Sequence, residues 1–479
     1  MTAVYKLMGD LGLAKEEALS NVAEEHRSSF PAGPSLFGRL RIGKLFAVDS
    51  PEGLQQNKDI YGDVLSFRTP YGYRQFQFNH PDDIQDLLIG DASRHSRGIV
   101  LRRARGILGD GLLTSEDPIH IRQRKLAQPA FHRSRIAGYG ATIVRITEEM
   151  TARWEDGASI EAHEEMVALT LRITSRCLLG TDVRPDIQTF VDSMKTFNDY
   201  LPYALLPGAT LLEKLPIGPM PGMKRALTAL DALIYGIIGE RRREEADGRE
   251  PKDDLLAMLL GAKDDEGRMD DRQARDEALT ILMAGHETTA SALTFALWLI
   301  AKHPDVQERM REQVFDGIGD AAPRAGDYPK LGYVARVFAE SMRMYPPAWI
   351  SARTAMEDYT MRSGLFIPKG SALVTSPTVV QHDARFYPEP ERFDPERFTD
   401  QAKAARPKFA YFPFGGGTRQ CIGEGFAWME AVLMLATVVQ HWRLSLPEGS
   451  PEDLELLPRF TIRPKHAVPL RLERLSGRV

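Results

Sequence analysis

FPFGGGTRQCIGEGFA, residues Phe412 to Ala427, is the stretch on which the reading of this chain turns. Its consecutive glycines, Gly415 to Gly417, permit positive φ and let the backbone approach something flat and bulky. Cys421 follows, then Gly423, then an apolar helical run from about Phe426 to Val439. A cysteine just before a helix N-terminus sees free backbone N–H groups and the positive end of the dipole, and both favour thiolate over thiol. Arg419 adds a cation two residues earlier. Three plainer readings compete: a buried structural cysteine, a nucleophilic cysteine and a glycine-rich turn without chemistry. The first suits Cys177, inside the helical LRITSRCLLG. The second needs a base, and no Cys–His protease signature is present.

Ala278 to Ala301, ALTILMAGHETTASALTFALWLIA, is long enough to span a bilayer and holds only His286 and Glu287 as ionisable residues. An ionisable pair at the centre of a span is costly, both flanks are polar, and no second comparable segment exists. A buried central helix of a large protein fits better, and its polar centre then needs a reason. In that centre, AGHETT, Ala284 and Thr288 sit four apart on one face. Gly285 weakens the helix locally, and the Thr288 hydroxyl can reorganise its hydrogen bonding. Glu287 offers a carboxylate one residue aside. A helix kink with no chemistry is the plain alternative. Downstream, Glu340 and Arg343 share a helix face at i, i+3, a spacing that is ordinarily an exposed salt bridge. Their helix ends soon after, at Pro346–Pro347, and PEPERFDPERF follows. His120 and Arg124 also share a face, in DPIHIRQRKLAQPAF.

The remainder bounds the answer. At 479 residues with a net charge of −5, the chain shows no character of a general nucleic-acid or membrane-surface binder. Two distant cysteines make neither a disulfide framework nor a C-x-x-C pair, which points to a reducing compartment. The N-terminus carries early acidic residues and no signal-type apolar core, so a cytoplasmic location is expected. Residues 1–30 read as a helical extension. A helix is expected near Ser50–Tyr61, then a β-hairpin in DVLSFRTPYGYRQFQFN with its turn at Pro70–Gly72. From Pro81 to about Met361 the pattern is overwhelmingly helical, and beyond it mixed.

Phe414, Gly417, Arg419, Cys421 and Gly423 match F-x-x-G-x-R-x-C-x-G, so the loop resembles the haem-binding loop of the cytochromes P450. AGHETT is similar to that family's oxygen-activation motif, and the Glu340–Arg343 pair to its E-x-x-R motif. The resemblance runs from about Pro31 to Leu472. It implies a mainly α protein with a small β region, the cytochrome P450 fold, in a single haem domain over 31–479. It implies haem b as cofactor, with Cys421 as the iron ligand. Thr288 and Glu287 would serve dioxygen with a hydrogen bond and protons. His120, Arg124, Arg353 and Arg419 would meet the haem, the first three at its propionates, with Phe414, Ala284 and Gly423 packed around it. Arg397, from the P-E-R-F motif, would complete a structural triad with Glu340 and Arg343.

The implied reaction inserts one atom of O2 into a C–H bond of a hydrophobic small molecule. Ile107, Leu108, Ala284, Ala348, Trp349, Ile350, Phe460 and Thr461 match substrate-contact positions, and Leu201 to Met223 a lid. The pattern looks closest to soluble bacterial fatty-acid hydroxylase haem domains, yet Gly72 and Phe76 stand where their Arg and Tyr carboxylate anchor would be. Arg74 and Tyr73 lie nearby. Fatty acids, terpenoids, steroids and polyketides therefore stay open as substrates. Electrons would come from a ferredoxin or flavodoxin with its NAD(P)H reductase, docking near Arg122, Lys125, Arg133 and Arg135. A monomer without stable membrane insertion or nucleic-acid binding is expected. A peroxide-driven peroxygenase and a non-catalytic haem sensor or carrier are the rival functions.

Overall fold

The computed structural model describes residues 30–34, 50–69, 72–182, 187–204, 220–250, 252, 254–261, 263–264 and 267–475. Residues 1–29 of the expected extension, Pro70–Tyr71 of the hairpin turn and residues 205–219 of the expected lid lie outside the described residues. Ser50 caps the first helix, α1 (Pro51–Tyr61), by accepting from Gly53 N at 3.1 Å. The alternating segment after it forms the expected hairpin, β1 (Val64–Arg68) antiparallel to β2 (Arg74–Phe78).

Short strands interrupt the region expected to be helical, among them β3 (His95–Arg97) and β4 (Ser159–Glu161). Three residues are too few to display an alternating pattern, which is why the sequence hid them. The helices of that region include α2 (Ile99–Leu108), α3 (Ile119–Ala127), α4 (Arg133–Thr151), α5 (Ala162–Leu178), α6 (Ile187–Ala204) and α7 (Met220–Ala246).

The AGHETT segment lies in α8 (Asp271–Lys302), which starts where Asp270 accepts from Gln273 N at 2.7 Å. It is buried along nearly its whole length, packed on α5 and flanked by α7. Its polar centre is thus enclosed by protein, and no helix among the described residues is long and apolar enough to cross a membrane. Helix α9 (Gly332–Met344) carries Glu340 and Arg343. Strands β5 (Ser351–Ala355) and β6 (Ala372–Thr375) follow, and α10 (Glu424–His441) begins just after the cysteine loop. An apolar surface all round is the mark of a buried helix, and the stretch from Glu430 to Gln440 of α10 is buried residue after residue.

The chain closes with β7 (Trp442–Ser445), β8 (Leu456–Pro458), β9 (Ile462–Pro464) and β10 (Pro469–Arg474). The largest sheet runs β1–β2–β6–β5–β3, with β2 and β6 parallel and the other pairs antiparallel. Strands β7–β10–β4 form a second sheet and β8–β9 a hairpin. The protein is therefore mainly helical with small sheets, and one large apolar cluster joins α4, α5, α8, α9 and α10.

Candidate active site

The cysteine loop is shaped by contacts that leave no room for side chains. Gly415 and Gly417 have φ of 71° and 69°. A Cβ on Gly417 would lie 2.0 Å from the Leu88 carbonyl oxygen, and one on Gly416 2.6 Å from the Phe409 ring. Cys421 N donates to Phe414 O at 3.0 Å, closing the loop so that the thiol faces a cavity of about 1080 Å³. Phe414, Gly423 and Phe426 line the cavity beside it, and Ala284, Gly285 and Thr288 line it from α8.

The surroundings of the thiol pull it in both directions. Burial pushes it up to about 11, against the backbone N–H groups of Gly423 and Glu424 and the charge of Arg124. Arg419 is otherwise engaged. It donates to Ser115 O at 2.8 Å and pairs with Asp117 at 3.1 Å and Glu116 at 3.3 Å. A bound metal ion would reverse the balance, because a coordinating thiol gives up its proton outright.

One end of the cavity concentrates positive charge. His120, Arg124, Arg353 and Arg419 all line it, as expected, and Arg97 joins them. Arg124 Nη1 donates to Gln420 O at 2.8 Å, fastening α3 to the cysteine loop. His120 Nδ1 lies 3.1 Å from Asp117 Oδ1; burial, with Arg419 and Arg97 beside it, holds the imidazole down to about 4. Arg97 stands directly opposite Arg353 in the β3–β5 register. Burial and the neighbouring guanidiniums hold Arg97 down to about 9 and Arg353 to about 10.

A like-charged pair facing across two strands is destabilising unless an anion lies between. Arg97 donates to Leu112 O at 3.1 Å and its Nε has no partner among the described residues, so the donor capacity here exceeds what those groups absorb. Sequence reasoning missed Arg97 because HSRGIV has no telling pattern; only the sheet register reveals it. A thiol open to the cavity, the breadth of that cavity and a cluster of donors suited to carboxylates fit a haem, whose iron Cys421 would hold and whose carboxylates these cations would meet.

On α8, Thr288 Oγ1 donates to Ala284 O at 2.7 Å. Gly285, expected to weaken the helix, serves packing: a Cβ there would lie 2.9 Å from Thr174 Cγ2 on α5. Glu287 Oε1 accepts from Asn198 Nδ2 of α6 at 3.0 Å and from Thr461 Oγ1 at 2.9 Å. Asn198 was not foreseen, since nothing in the sequence of α6 marks it. Thr461, expected at the substrate, lines the cavity but is spoken for by this bond.

Ala348, Trp349, Ile350 and Phe460 line the cavity as expected, whereas Ile107 and Leu108 do not. Those two are buried at the end of α2, where Leu108 O accepts from Arg275 at 3.3 Å. Ile99 to Arg103 at the start of the same helix, with Leu112 and Leu113, take that wall instead. Arg74 is also turned away: it donates to Ser66 Oγ at 2.9 Å and stacks 3.8 Å from the Phe30 ring centre. Strand alternation puts Tyr73 and Gln75 on the cavity side and Phe76 in the core.

Behind the cysteine loop, Glu340 and Arg343 are fully buried and doubly bonded, at 2.7 and 2.9 Å. Arg397 Nε approaches Glu340 Oε1 at 3.4 Å, and Asp394 N donates to the same oxygen at 3.0 Å. Arg343 Nη1 donates to Gln381 O at 2.8 Å, and Gln381 Oε1 accepts from Phe412 N at 3.2 Å. The three charged groups thus connect α9 to the strand of chain that opens the cysteine loop.

The family model described as Cytochrome P450 matches residues 31–470. Cyclooctatin synthase of Streptomyces melanosporofaciens is 38% identical over 368 residues, covering 76% of this chain and 79% of the relative. Pentalenene oxygenase of Streptomyces avermitilis is 33% identical over 402 residues, covering 83% and 87%. Putative cytochrome P450 132 of Mycobacterium tuberculosis is 32% identical over 459 residues, covering 92% of each chain.

Proposed function

The chain belongs to the cytochrome P450 family and is a monooxygenase, and from that premise we propose that it hydroxylates a compact terpenoid at an unactivated C–H bond. The observation that carries the substrate class is the cavity: large, walled mainly by apolar side chains, with Gly72 and Phe76 standing at the two places of the fatty-acid anchor. The relatives named pentalenene oxygenase and cyclooctat-9-en-7-ol 5-monooxygenase support the same choice. A volume of about 1080 Å³ leaves room for a macrocycle and a compact hydrocarbon together.

Cys421 would hold the iron through sulfur, and Arg97, His120, Arg124, Arg353 and Arg419 would hold the haem carboxylates. When bound, the haem supplies dioxygen activation, which a thiolate ligand favours by donating electron density. Haem b is the form we propose, because the sequence holds no C-x-x-C-H for covalent attachment. Glu287 would supply protons, and the Thr288 hydroxyl would pass them on and steady the reacting oxygen. Phe460, Trp349 and Ile350 would orient the substrate and exclude water. We read 31–479 as one haem domain, cytoplasmic, fed by a ferredoxin or flavodoxin with its reductase.

Two measurements test this. The reduced carbon-monoxide difference spectrum of wild type should show a thiolate-type Soret band, and Cys421→Ser should lose it; retention in the variant overturns the ligand assignment. A spin-shift titration should then favour cyclic terpenes over long-chain fatty acids. A stronger response to fatty acids would reject the substrate class.

A further inference from the structure

The carboxyl of Glu287 is clamped at one oxygen, and a row of polar groups leads from it along α8. Both donors to Oε1 are almost fully enclosed, Asn198 at 1% and Thr461 at 2% exposure. Oε2 takes no hydrogen bond from the described residues and is left for other traffic. Ser291 and Thr294 follow Glu287 by four and seven residues, so all three share one helix face. Ser291 is fully buried, yet its hydroxyl has no partner among the described residues. An orphan hydroxyl one turn from a carboxyl is the kind of place a buried water occupies. Thr294 Oγ1 donates to Ala290 O at 2.7 Å and lies 3.2 Å from His163 Nδ1.

His163, at the start of α5, is half-buried, so the row begins in the interior and ends within reach of solvent. The hairpin covers the same face: Thr461 bonds Glu287, and Arg463, two residues on, is near enough to His163 to lower its pKa. The groups acting on His163 come from β4, β9 and α8. Burial lowers it most, Glu161 of β4 raises it, Arg463 of β9 lowers it, and on α8 Glu287 raises it while His286 lowers it. The plain alternative is that Thr294 and His163 only fasten α5 to α8.

We propose that His163, Thr294 and Ser291 form a proton intake that recharges Glu287 from the surface, with Asn198 and Thr461 as positioning residues that hold its carboxyl at the inner end. This rests on the reading of Glu287 as the proton source. Each proton that Glu287 gives up is replaced through water and the two hydroxyls from His163, which takes one from solvent. Only O–H and N–H bonds form and break, no electrons move, and the row returns to its starting state.

The test has two arms. In the first, the His163 imidazole is followed by NMR titration of histidine-labelled holoprotein in its diamagnetic ferrous carbon-monoxide form, with His163→Gln giving the assignment. Glu287→Gln removes a charge that raises the His163 pKa, so the titration should move down by about half a unit. An unmoved titration overturns the connection. In the second, product formed per O2 consumed and the solvent isotope effect are measured with a redox system. His163→Gln and Thr294→Val should lower coupling by about tenfold and enlarge the isotope effect. Thr294→Ser should behave as wild type, whereas a packing role would favour Val, the closer match in shape. Asn198→Ala should also lower coupling while leaving the substrate spin shift intact. Wild-type coupling in His163→Gln and Thr294→Val, beside its loss in Glu287→Gln, would overturn the intake alone. Full coupling in Glu287→Gln would instead overturn the reading of that acid.

Discussion

Arg97 and Arg353 give opposite predictions for the protein with and without its cofactor. Without an anion between them, each guanidinium raises the cost of the other. Arg97→Leu should therefore stabilise haem-free protein by about 0.2–1 kcal/mol, read as a higher melting temperature. If Arg97 holds a haem carboxylate, the same change removes charge-assisted bonds from the loaded protein, so haem should dissociate about tenfold to a hundredfold more readily, read by transfer to apomyoglobin. A loss of stability in the haem-free form would mean that Arg97 is there for the fold. Single residues also show where sequence reading stops. The cysteine loop is dense with fixed residue types, so Cys421 and Arg419 stood out, but the side-chain partners of Arg419 depend on Glu116 and Asp117, far away in the chain. Arg97 and Asn198 carry no local pattern, and only pairing across strands and helices brings them to the cavity.

At the level of elements, α8 and α9 each hold a buried carboxylate, with different expected behaviour. Glu340 on α9 neutralises Arg343 inside the core. Glu340→Leu leaves that guanidinium buried and unpaired, and should cost about 3–5 kcal/mol in urea unfolding. Haem incorporation should fall with it, because Gln381 passes the displacement to Phe412. Glu277 on α8 accepts from Leu112 N at 3.0 Å, and burial pushes its carboxyl up from 4.5 to about 8. The folded state then keeps a proton that the unfolded chain has released. The associated stability is full below pH 4.5 and lost as pH rises toward about 8. Glu277→Gln keeps an acceptor but cannot titrate, so its melting temperature should fall less than that of wild type between those limits. An equal fall would assign the pH dependence elsewhere. Long periodic segments such as α8 and α10, and the alternating β1–β2 hairpin, were legible from the sequence. Strands β3 and β4 were not, because three residues show no period.

For the whole molecule, the junction of α3 and α4 lies against the cysteine loop, with Phe131 packed 3.8 Å from where a Cβ on Gly423 would stand. Lys125 and Arg133 are exposed there, although the chain as a whole has a net charge of −5. If an acidic electron donor docks at this face, its reduction rate should fall steeply with salt. Lys125→Glu with Arg133→Glu should then slow reduction about tenfold while leaving the carbon-monoxide spectrum unchanged. A salt-independent rate would place docking elsewhere. The cavity walls were only partly legible: α2 presents its first turns rather than Ile107 and Leu108, a choice made by how the helix is rotated and packed. Those walls come from separate segments, whereas the loop at Gly416 and Gly417 is hemmed in by Phe409 and the Leu88 carbonyl. The molecule is consequently divided for anyone who would breed new selectivity from it. Randomised libraries at Ile99, Leu113, Ala348 and Phe460 should return folded, diverse clones, while the same diversity at 416 and 417 should yield almost none.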